Sequence, residues 1–206
     1  MNYLLKQKQA PRIKLETALV VPAHYQGKTN FIIPDRIVAF CIEHYDLIND
    51  KKRILDPMCG LGTIPRVINA QGGNCMGIEI DPARFEASLE LVDKNQIILG
   101  DFLTLELMNH AYSCIFTSMP FDWFKNPQRT PPATYAEKFK RILSPEGFIL
   151  LDSVPHHVEE EQTYPIAQRQ SDYLENHGFT LHDIITFYDD AHPQSMCESV
   201  IMMFKP

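Results

Sequence analysis

Short apolar runs alternate with amphipathic stretches along most of this chain of 206 residues. Apolar runs bounded by turn residues predict five strands, at 52–56, 75–80, 96–99, 114–118 and 147–153. Apolar positions at helical spacing predict five helices, at 34–47, 64–71, 82–93, 134–143 and 162–177. Two further runs, near 180–188 and 197–204, have only a short polar segment between them and predict an antiparallel hairpin.

Strands that alternate with helices are typical of an α/β protein in which helices cover both faces of a sheet. The early strands are apolar throughout, as parallel strands are when both of their faces are buried. We therefore predict one mostly parallel, Rossmann-like sheet with an antiparallel hairpin at its edge. The length suits a single domain, which we expect to span 31–206 after a basic N-terminal extension over 1–30.

The composition is that of a globular protein, because apolar residues make up 45% of the chain and charged residues 22%. No apolar run approaches the roughly 18 residues that cross a membrane, so we expect no membrane span. The five cysteines are widely spread and include no CxxC pair. This spacing favours reduced thiols over disulfides or a zinc site, so we expect a cytoplasmic protein without a bound metal.

The net charge of −7 is unevenly distributed along the chain. Residues 1–30 carry five basic residues and one acid, and residues 125–141 also carry five basic residues and one acid. The remaining segments are acidic. We treat the basic residues of both segments as candidate phosphate contacts, while solvated surface charge is the alternative explanation.

The strongest motif is ILDPMCGLGT at 54–63, in which Gly60 and Gly62 lie between a predicted strand and a predicted helix. Glycines in this turn let the backbone approach a ligand closely. Asp56, Glu79 and Asp101 each stand at the end of one of the first three predicted strands. In doubly wound sheets an acid at the end of the second strand accepts the hydroxyls of a ribose, which is the place of Glu79. The sequence therefore predicts a nucleoside site with Asp101 beside the base.

Two departures from common nucleotide motifs narrow the choice of ligand. Pro65 occupies the place of the third glycine of the dinucleotide fingerprint, and no GK[ST] sequence follows the glycines as in a P-loop. A ligand with a ribose, an adenine and a zwitterionic tail therefore fits better than one with a pyrophosphate.

The motif DPMCGLGT resembles motif I of the class I S-adenosylmethionine-dependent methyltransferases, above all the form found in amino-group methyltransferases of DNA and RNA. The resemblance runs from about residue 24 to the C-terminus and implies a seven-stranded sheet in the order 3-2-1-4-5-7-6. It also implies that the segment 24–34 closes over the methionine end of the cofactor, S-adenosylmethionine. The cofactor-binding residues that we expect on this basis are Lys28, Phe31, Asp56, Cys59, Gly60, Gly62, Thr63, Glu79, Ile80, Asp101 and Phe102.

The fourth predicted strand ends in the tetrad Ser118-Met119-Pro120-Phe121. In the amino-methyltransferases this place holds [DNS]-P-P-[YFW], and the S-P-P-[YF] form is similar to the N4-cytosine branch. The resemblance implies that a polar side chain and a backbone carbonyl accept from the N–H groups of an exocyclic amine, while the aromatic ring stacks on the base. Met119 replaces the first proline, which keeps the carbonyl but loses the rigid φ of proline.

The sequence as a whole predicts methyl transfer from S-adenosylmethionine to an exocyclic amino group of a nucleobase in RNA or DNA, with N4-cytosine-like chemistry favoured. RNA is slightly favoured over DNA because little of the chain remains for target recognition, and a partner protein or a homodimer stays open. The alternatives are methylation of protein glutamine or of a small molecule, or a methyltransferase-like protein that binds without catalysis.

Overall fold

The computed structural model describes residues 13–14, 33, 35–125, 131–154, 157–159, 162–188 and 199–206. The strands are β1 (Ile13–Lys14), β2 (Ile54–Asp56), β3 (Cys75–Glu79), β4 (Ile97–Leu99), β5 (Tyr112–Thr117), β6 (Leu143–Ser153), β7 (His157–Glu159), β8 (Gln162–Tyr164), β9 (Thr180–Tyr188) and β10 (Ser199–Lys205). The helices are α1 (Asp35–His44), α2 (Thr63–Ala70), α3 (Pro82–Ser88), α4 (Asp122–Lys125), α5 (Ala133–Ile142) and α6 (Ile166–Asn176).

One large sheet carries the site, with the strand order β1-β9-β10-β6-β5-β2-β3-β4. Strands β4, β3, β2, β5 and β6 are parallel, and β10 runs antiparallel to both β6 and β9. Seven of these strands follow the predicted order and hairpin, which confirms the fold class. The eighth, β1, adds two residues beside β9 at the edge of the sheet.

Two apolar layers hold the helices against the two faces of the sheet. Helices α1 and α2 pack on one face over buried residues such as Ile54, Phe116 and Leu150. Helices α4, α5 and α6 pack on the other face over residues such as Ile115 and Leu151. Consecutive residues of a strand face opposite sides of the sheet. A side chain at a strand end therefore lies on the same face as the buried residue two positions before it.

The structure differs from the sequence prediction mainly at element boundaries. Strand β6 begins at Leu143, directly after α5, whereas a start at 147 was predicted. Residues 162–164 form β8, paired with β7 in a small hairpin, and the last predicted helix begins only at Ile166. The predicted basic extension over 1–30 lies outside the described residues apart from β1.

None of the helices in the described part of the chain is long and apolar enough to cross a membrane.

Candidate active site

Most of the described residues predicted to bind cofactor and substrate lie near the carboxyl ends of neighbouring strands. Asp56, Glu79 and Ser118 stand at or just after the carboxyl ends of β2, β3 and β5, and Asp101 follows β4 by two residues. These four strands are neighbours and run parallel. Ligands of open α/β sheets bind outside the carboxyl ends of the strands, so the topology brings the two predicted sites side by side.

The glycine-containing turn after β2 leaves room for a ligand at Gly60. Gly60 and Gly62 both adopt the left-handed conformation, with φ of 56° and 79°. A Cβ atom on Gly60 would meet no atom within 4 Å, whereas one on Gly62 would lie 2.4 Å from a methyl group of Val92. Gly62 is therefore required by packing and Gly60 faces open space. Thr63 follows as the first residue of α2.

Glu79 organises this turn from the end of β3. Its Oε2 accepts a hydrogen bond from the Gly60 N–H at 2.7 Å, and its Oε1 accepts one from the Asp81 N–H at 2.8 Å. The side chain is only 4% exposed. Each carboxylate oxygen has a further lone pair, so the group can also accept from the hydroxyls of a ribose. The apolar side chain of Ile80, which follows, is 64% exposed.

The side chains of Asp56 and Cys59 are buried at the glycine turn. Burial raises the pKa of the Asp56 carboxyl to about 7, a rise that the Met58 N–H opposes and Glu79 reinforces. Asp56 Oδ1 accepts that Met58 N–H at 3.3 Å. Cys59 is buried against Val92, and burial, reinforced by Asp56 and Glu79, raises the pKa of its thiol. The thiol therefore packs the turn and is no nucleophile.

The loop after β4 carries Asp101 and Phe102. Asp101 is half-buried, and its Oδ1 accepts from the Leu103 N–H at 2.9 Å. The Phe102 ring is buried and stacks against Tyr135 with centroids 6.0 Å apart. A contact between Phe102 and a cofactor would therefore use the backbone at this position.

The prediction that Lys138 contacts a phosphate is wrong, because Lys138 is only 6% exposed. Its ammonium group donates to the backbone carbonyls of Phe102, Leu103 and Leu105, and it lies 4.8 Å from the centroid of the Phe102 ring. Lys138 thus fixes the loop that carries Asp101. Within the second basic segment, Lys140 and Arg141 remain exposed, and Lys125 pairs with Asp122 at 2.9 Å.

The tetrad directly follows β5, and its first two side chains lie on opposite faces of the sheet. Ser118 and Phe121 are half-buried, whereas Met119 is 1% exposed and packs in the core beneath α5 and α6. The chain then continues into α4, where the Phe121 carbonyl accepts from the Phe124 N–H at 2.8 Å.

Two side chains of α6 donate hydrogen bonds to the tetrad and to the helix that follows it. The sequence prediction did not include these contacts. The buried side chain of Gln170 donates from Nε2 to the Met119 carbonyl at 3.2 Å. The neighbouring Arg169 donates from Nη1 to the carbonyls of Phe124 and Lys125, at 2.6 and 2.8 Å. One lone pair of the Met119 carbonyl is therefore used within the protein. No motif marked Gln170 in the sequence.

The sequence prediction also missed an acid near the end of β6. Asp152 is fully buried and accepts a hydrogen bond from the Ser199 hydroxyl on β10. The only signal in the sequence is a single acid that ends an otherwise apolar run. Two of the predicted cofactor residues, Lys28 and Phe31, lie outside the described residues.

The site fits S-adenosylmethionine in three respects. Gly60 faces open space, Glu79 retains lone pairs for a ribose, and the exposed Ile80 offers an apolar surface for an adenine. The part of the chain that the structure describes holds no group of three or more His, Cys, Asp or Glu side chains placed to bind a metal ion.

Comparison with known proteins shows a similarity to methyltransferases. Residues 55–151, just under half of the chain, match the family model described as a methyltransferase domain. No curated protein matches the sequence. The match spans β2 to β6 and so includes the glycine turn, Glu79, Asp101 and the tetrad.

Solved structures share the fold at low sequence identity. A methyltransferase dependent on S-adenosylmethionine from Aquifex aeolicus has a TM-score of 0.60 and 14% identity, covering 84% of this chain and 92% of its own. The glycopeptide N-methyltransferase MtfA has a TM-score of 0.61 and 10% identity over 82% and 94% of the two chains. A putative RNA methyltransferase from Pyrococcus horikoshii has a TM-score of 0.56 and 16% identity over 82% and 81%. The chain therefore shares the fold of S-adenosylmethionine-dependent methyltransferases, and its matched segment is similar to a methyltransferase domain.

Proposed function

We propose that this S-adenosylmethionine-dependent methyltransferase transfers the methyl group to an exocyclic amino group of a nucleobase, with N4-cytosine-like chemistry favoured. The observation that carries the proposal is the position of the tetrad 118–121. It leaves β5 beside the strand that carries the glycine turn, with half-buried Ser118 and Phe121 at the same edge as Gly60 and Glu79.

The residue types of the tetrad suit an amine as the methyl acceptor. An exocyclic amine is a poor nucleophile because its lone pair conjugates with the ring. In the proposed role, the Ser118 hydroxyl and the Met119 carbonyl accept from its two N–H groups and favour a pyramidal nitrogen. The half-buried Phe121 ring aligns the base by stacking, which contributes about 1–3 kcal/mol per base.

The cofactor supplies a methyl group on a sulfonium, which is an activated leaving group. The residues of this chain then have to orient the acceptor amine, and orientation alone can provide a large part of a rate enhancement. In the proposed role, Asp56, Cys59, Gly60, Gly62 and Thr63 form the turn at the methionine end, and Glu79, Ile80, Asp101 and Phe102 surround the nucleoside. Lys28 and Phe31 of the N-terminal segment would complete the site.

RNA is the substrate that we favour over DNA. An unpaired RNA base reaches the site without the cost of flipping that a base within a duplex requires. The exposed Lys140 and Arg141 are candidate phosphate contacts. If DNA is the substrate, we expect a partner protein or a homodimer to take part in its recognition. The four described cysteines are free and buried, which supports our expectation of a reducing, cytoplasmic environment.

A second candidate is methylation of an amine that is not on a nucleic acid, such as a protein glutamine or a small molecule. The net charge of −7 and the fold likeness to a glycopeptide N-methyltransferase favour it. Association with RNA should weaken steeply as salt increases. A flat salt dependence in an active enzyme would favour the second candidate, and cofactor binding without any transfer would favour a non-catalytic protein.

Two substitutions in the tetrad test the proposal. Ser118→Ala removes an N–H acceptor and Phe121→Ala removes the stacking ring, so each should reduce kcat about tenfold or more. The affinity for S-adenosylmethionine, measured by calorimetry, should stay within about twofold, because neither side chain belongs to the proposed cofactor site. Full turnover in both folded variants would remove the tetrad from the reaction and contradict the proposal.

A further inference from the structure

The tetrad is flanked by a buried acid that the reaction described so far does not use. Asp152 is the last but one residue of β6, which is the parallel neighbour of β5, and Thr117 of β5 stands opposite Leu151 of β6. Ser118 and Asp152 are therefore adjacent positions at the same strand ends. The flanking residues Phe116 and Leu150 both belong to the apolar layer under α1 and α2. Alternation along the strands places Ser118 and Asp152 on that same face.

The two oxygens of Asp152 have different surroundings. Oδ1 accepts the hydrogen bond of the Ser199 hydroxyl, whereas Oδ2 is buried and accepts no hydrogen bond within normal geometry. An unpaired carboxylate oxygen in a fully buried side chain is costly, and such groups are rare in native proteins. Ser118, at the adjacent strand end, is half-buried.

Within the described part of the chain, groups on four elements or their ends interact with Asp152. Burial raises the pKa of Asp152 to about 8, the Ser199 and Ser118 hydroxyls oppose the rise, and the charge of Asp56 on β2 adds to it. On α1, burial together with the charge of Asp152 raises the pKa of the Cys41 thiol. Among these groups of the described residues, Ser118 is the one that belongs to the tetrad.

We propose that Asp152 is a positioning residue that sets the direction of the Ser118 hydroxyl and takes up the proton that the substrate amine loses. This inference rests on the proposed function. When Asp152 is ionised, the Ser118 O–H donates to it, and the Ser118 oxygen presents its lone pairs to the N–H of the amine. When Asp152 is protonated, it donates to Ser118 instead and one of those lone pairs is lost.

The proton balance of methyl transfer gives the carboxylate a second use. The nitrogen lone pair forms the new N–C bond, the S–C bond breaks, and its electron pair stays on sulfur, which becomes neutral. The nitrogen is left with a positive charge and must lose a proton. That proton passes to the Ser118 oxygen while the Ser118 proton passes to Asp152, so the product amine and the serine are both neutral.

Infrared difference spectroscopy tests the coupling of Ser118 to Asp152 without any substrate. The protonated carboxyl band of Asp152 is followed as a function of pH in wild type and in Ser118→Ala. The midpoint should shift upward in Ser118→Ala, because the variant loses a hydroxyl that stabilises the charged form. Ser153→Ala is the matched control, since the Ser153 hydroxyl donates to the Val154 carbonyl at 3.2 Å, and its midpoint should equal that of wild type. Equal midpoints in wild type and Ser118→Ala would overturn the inference.

Activity supplies the second measurement, with total RNA as the methyl acceptor. Asp152→Asn keeps the size of the side chain and an acceptor for Ser199 but cannot take up the proton. General acid–base groups contribute typically 10²–10⁴-fold, so kcat should fall by about 10² with the Km for S-adenosylmethionine unchanged. The rise of kcat with pH around the ionisation of Asp152 should also disappear. An unchanged pH profile would overturn the inference, whereas RNA left unmethylated by wild type would contradict the proposed function and leave the infrared result to decide the coupling.

Discussion

At the scale of single residues, Glu79 combines a structural role with the proposed binding role in one carboxylate. It accepts hydrogen bonds from the Gly60 and Asp81 N–H groups at 2.7 and 2.8 Å. The same side chain therefore fixes the glycine turn and is the proposed acceptor for the ribose. A ribose-binding acid is usually thought of as a contact alone. In this chain the acid also determines where the turn stands.

Glu79→Ala should therefore weaken cofactor binding more than the loss of a ribose contact would. A hydrogen bond to a charged group contributes about 1.5–3 kcal/mol, so we expect at least a tenfold increase in the Kd for S-adenosylmethionine, measured by calorimetry. Asp93→Ala, at an exposed acid that caps the short helical turn before β4, is the control and should bind normally. Unchanged affinity in Glu79→Ala would refute the ribose assignment.

At the scale of elements, α6 supplies the rigidity that the tetrad lacks. Proline at position 119 would fix φ, whereas Met119 is held by Gln170, which donates to its carbonyl, and by its own side chain in the core. The next residue, Arg169, secures α4 through two more carbonyls. Two consecutive residues of one helix thus fix the whole segment that presents Ser118 and Phe121.

Gln170→Leu should loosen the tetrad while the cofactor site stays intact. The Met119 carbonyl would lose its buried donor, so we expect kcat to fall about tenfold and cofactor affinity to stay within twofold, by steady-state kinetics and calorimetry. Gln168→Leu, at an exposed position on the same helix, removes only a surface contact with Asp172 and should behave as wild type. Equal kcat in the two variants would show that the carbonyl needs no support.

The sequence predicted the elements of the central sheet because apolar runs and turn residues are local signals. The cofactor turn was predictable for the same reason, since its glycines and the acids at the strand ends occur in a fixed order. Gln170 and Lys138 were not predictable, because each acts on a backbone carbonyl far away in sequence. In the sequence Lys138 resembles a surface cation, whereas in the fold its ammonium group donates to carbonyls of the loop 102–105.

At the scale of the whole molecule, two buried acids under the active site link stability to pH. Burial raises the pKa of Asp56 to about 7 and that of Asp152 to about 8. In the unfolded chain an aspartate titrates near about 3.9. The folded state therefore binds these protons more tightly, and the stability that they contribute is complete below about pH 4 and is lost as the pH rises through about 7 to 8.

The free energy of unfolding should consequently decrease between pH 6 and pH 9, by roughly 1–3 kcal/mol for each of the two groups. Asp152→Asn should show a smaller decrease, because the amide does not titrate. Denaturant titrations at both pH values measure the difference, with Glu175→Gln at an exposed position as the control. A decrease that is the same in wild type and in Asp152→Asn would mean that Asp152 is already ionised at pH 6.

The central claim is that the cofactor edge and the tetrad together methylate an exocyclic amine of a nucleobase. The most direct measurement is incorporation of label from methyl-labelled S-adenosylmethionine into separate pools of RNA, DNA and protein, followed by nucleoside analysis of the labelled pool. We predict label in RNA, on a nucleoside methylated at its exocyclic nitrogen, and a loss of that label with Ser118→Ala. Label that appears only in protein, or on a ring carbon or ribose oxygen of RNA, would contradict the claim.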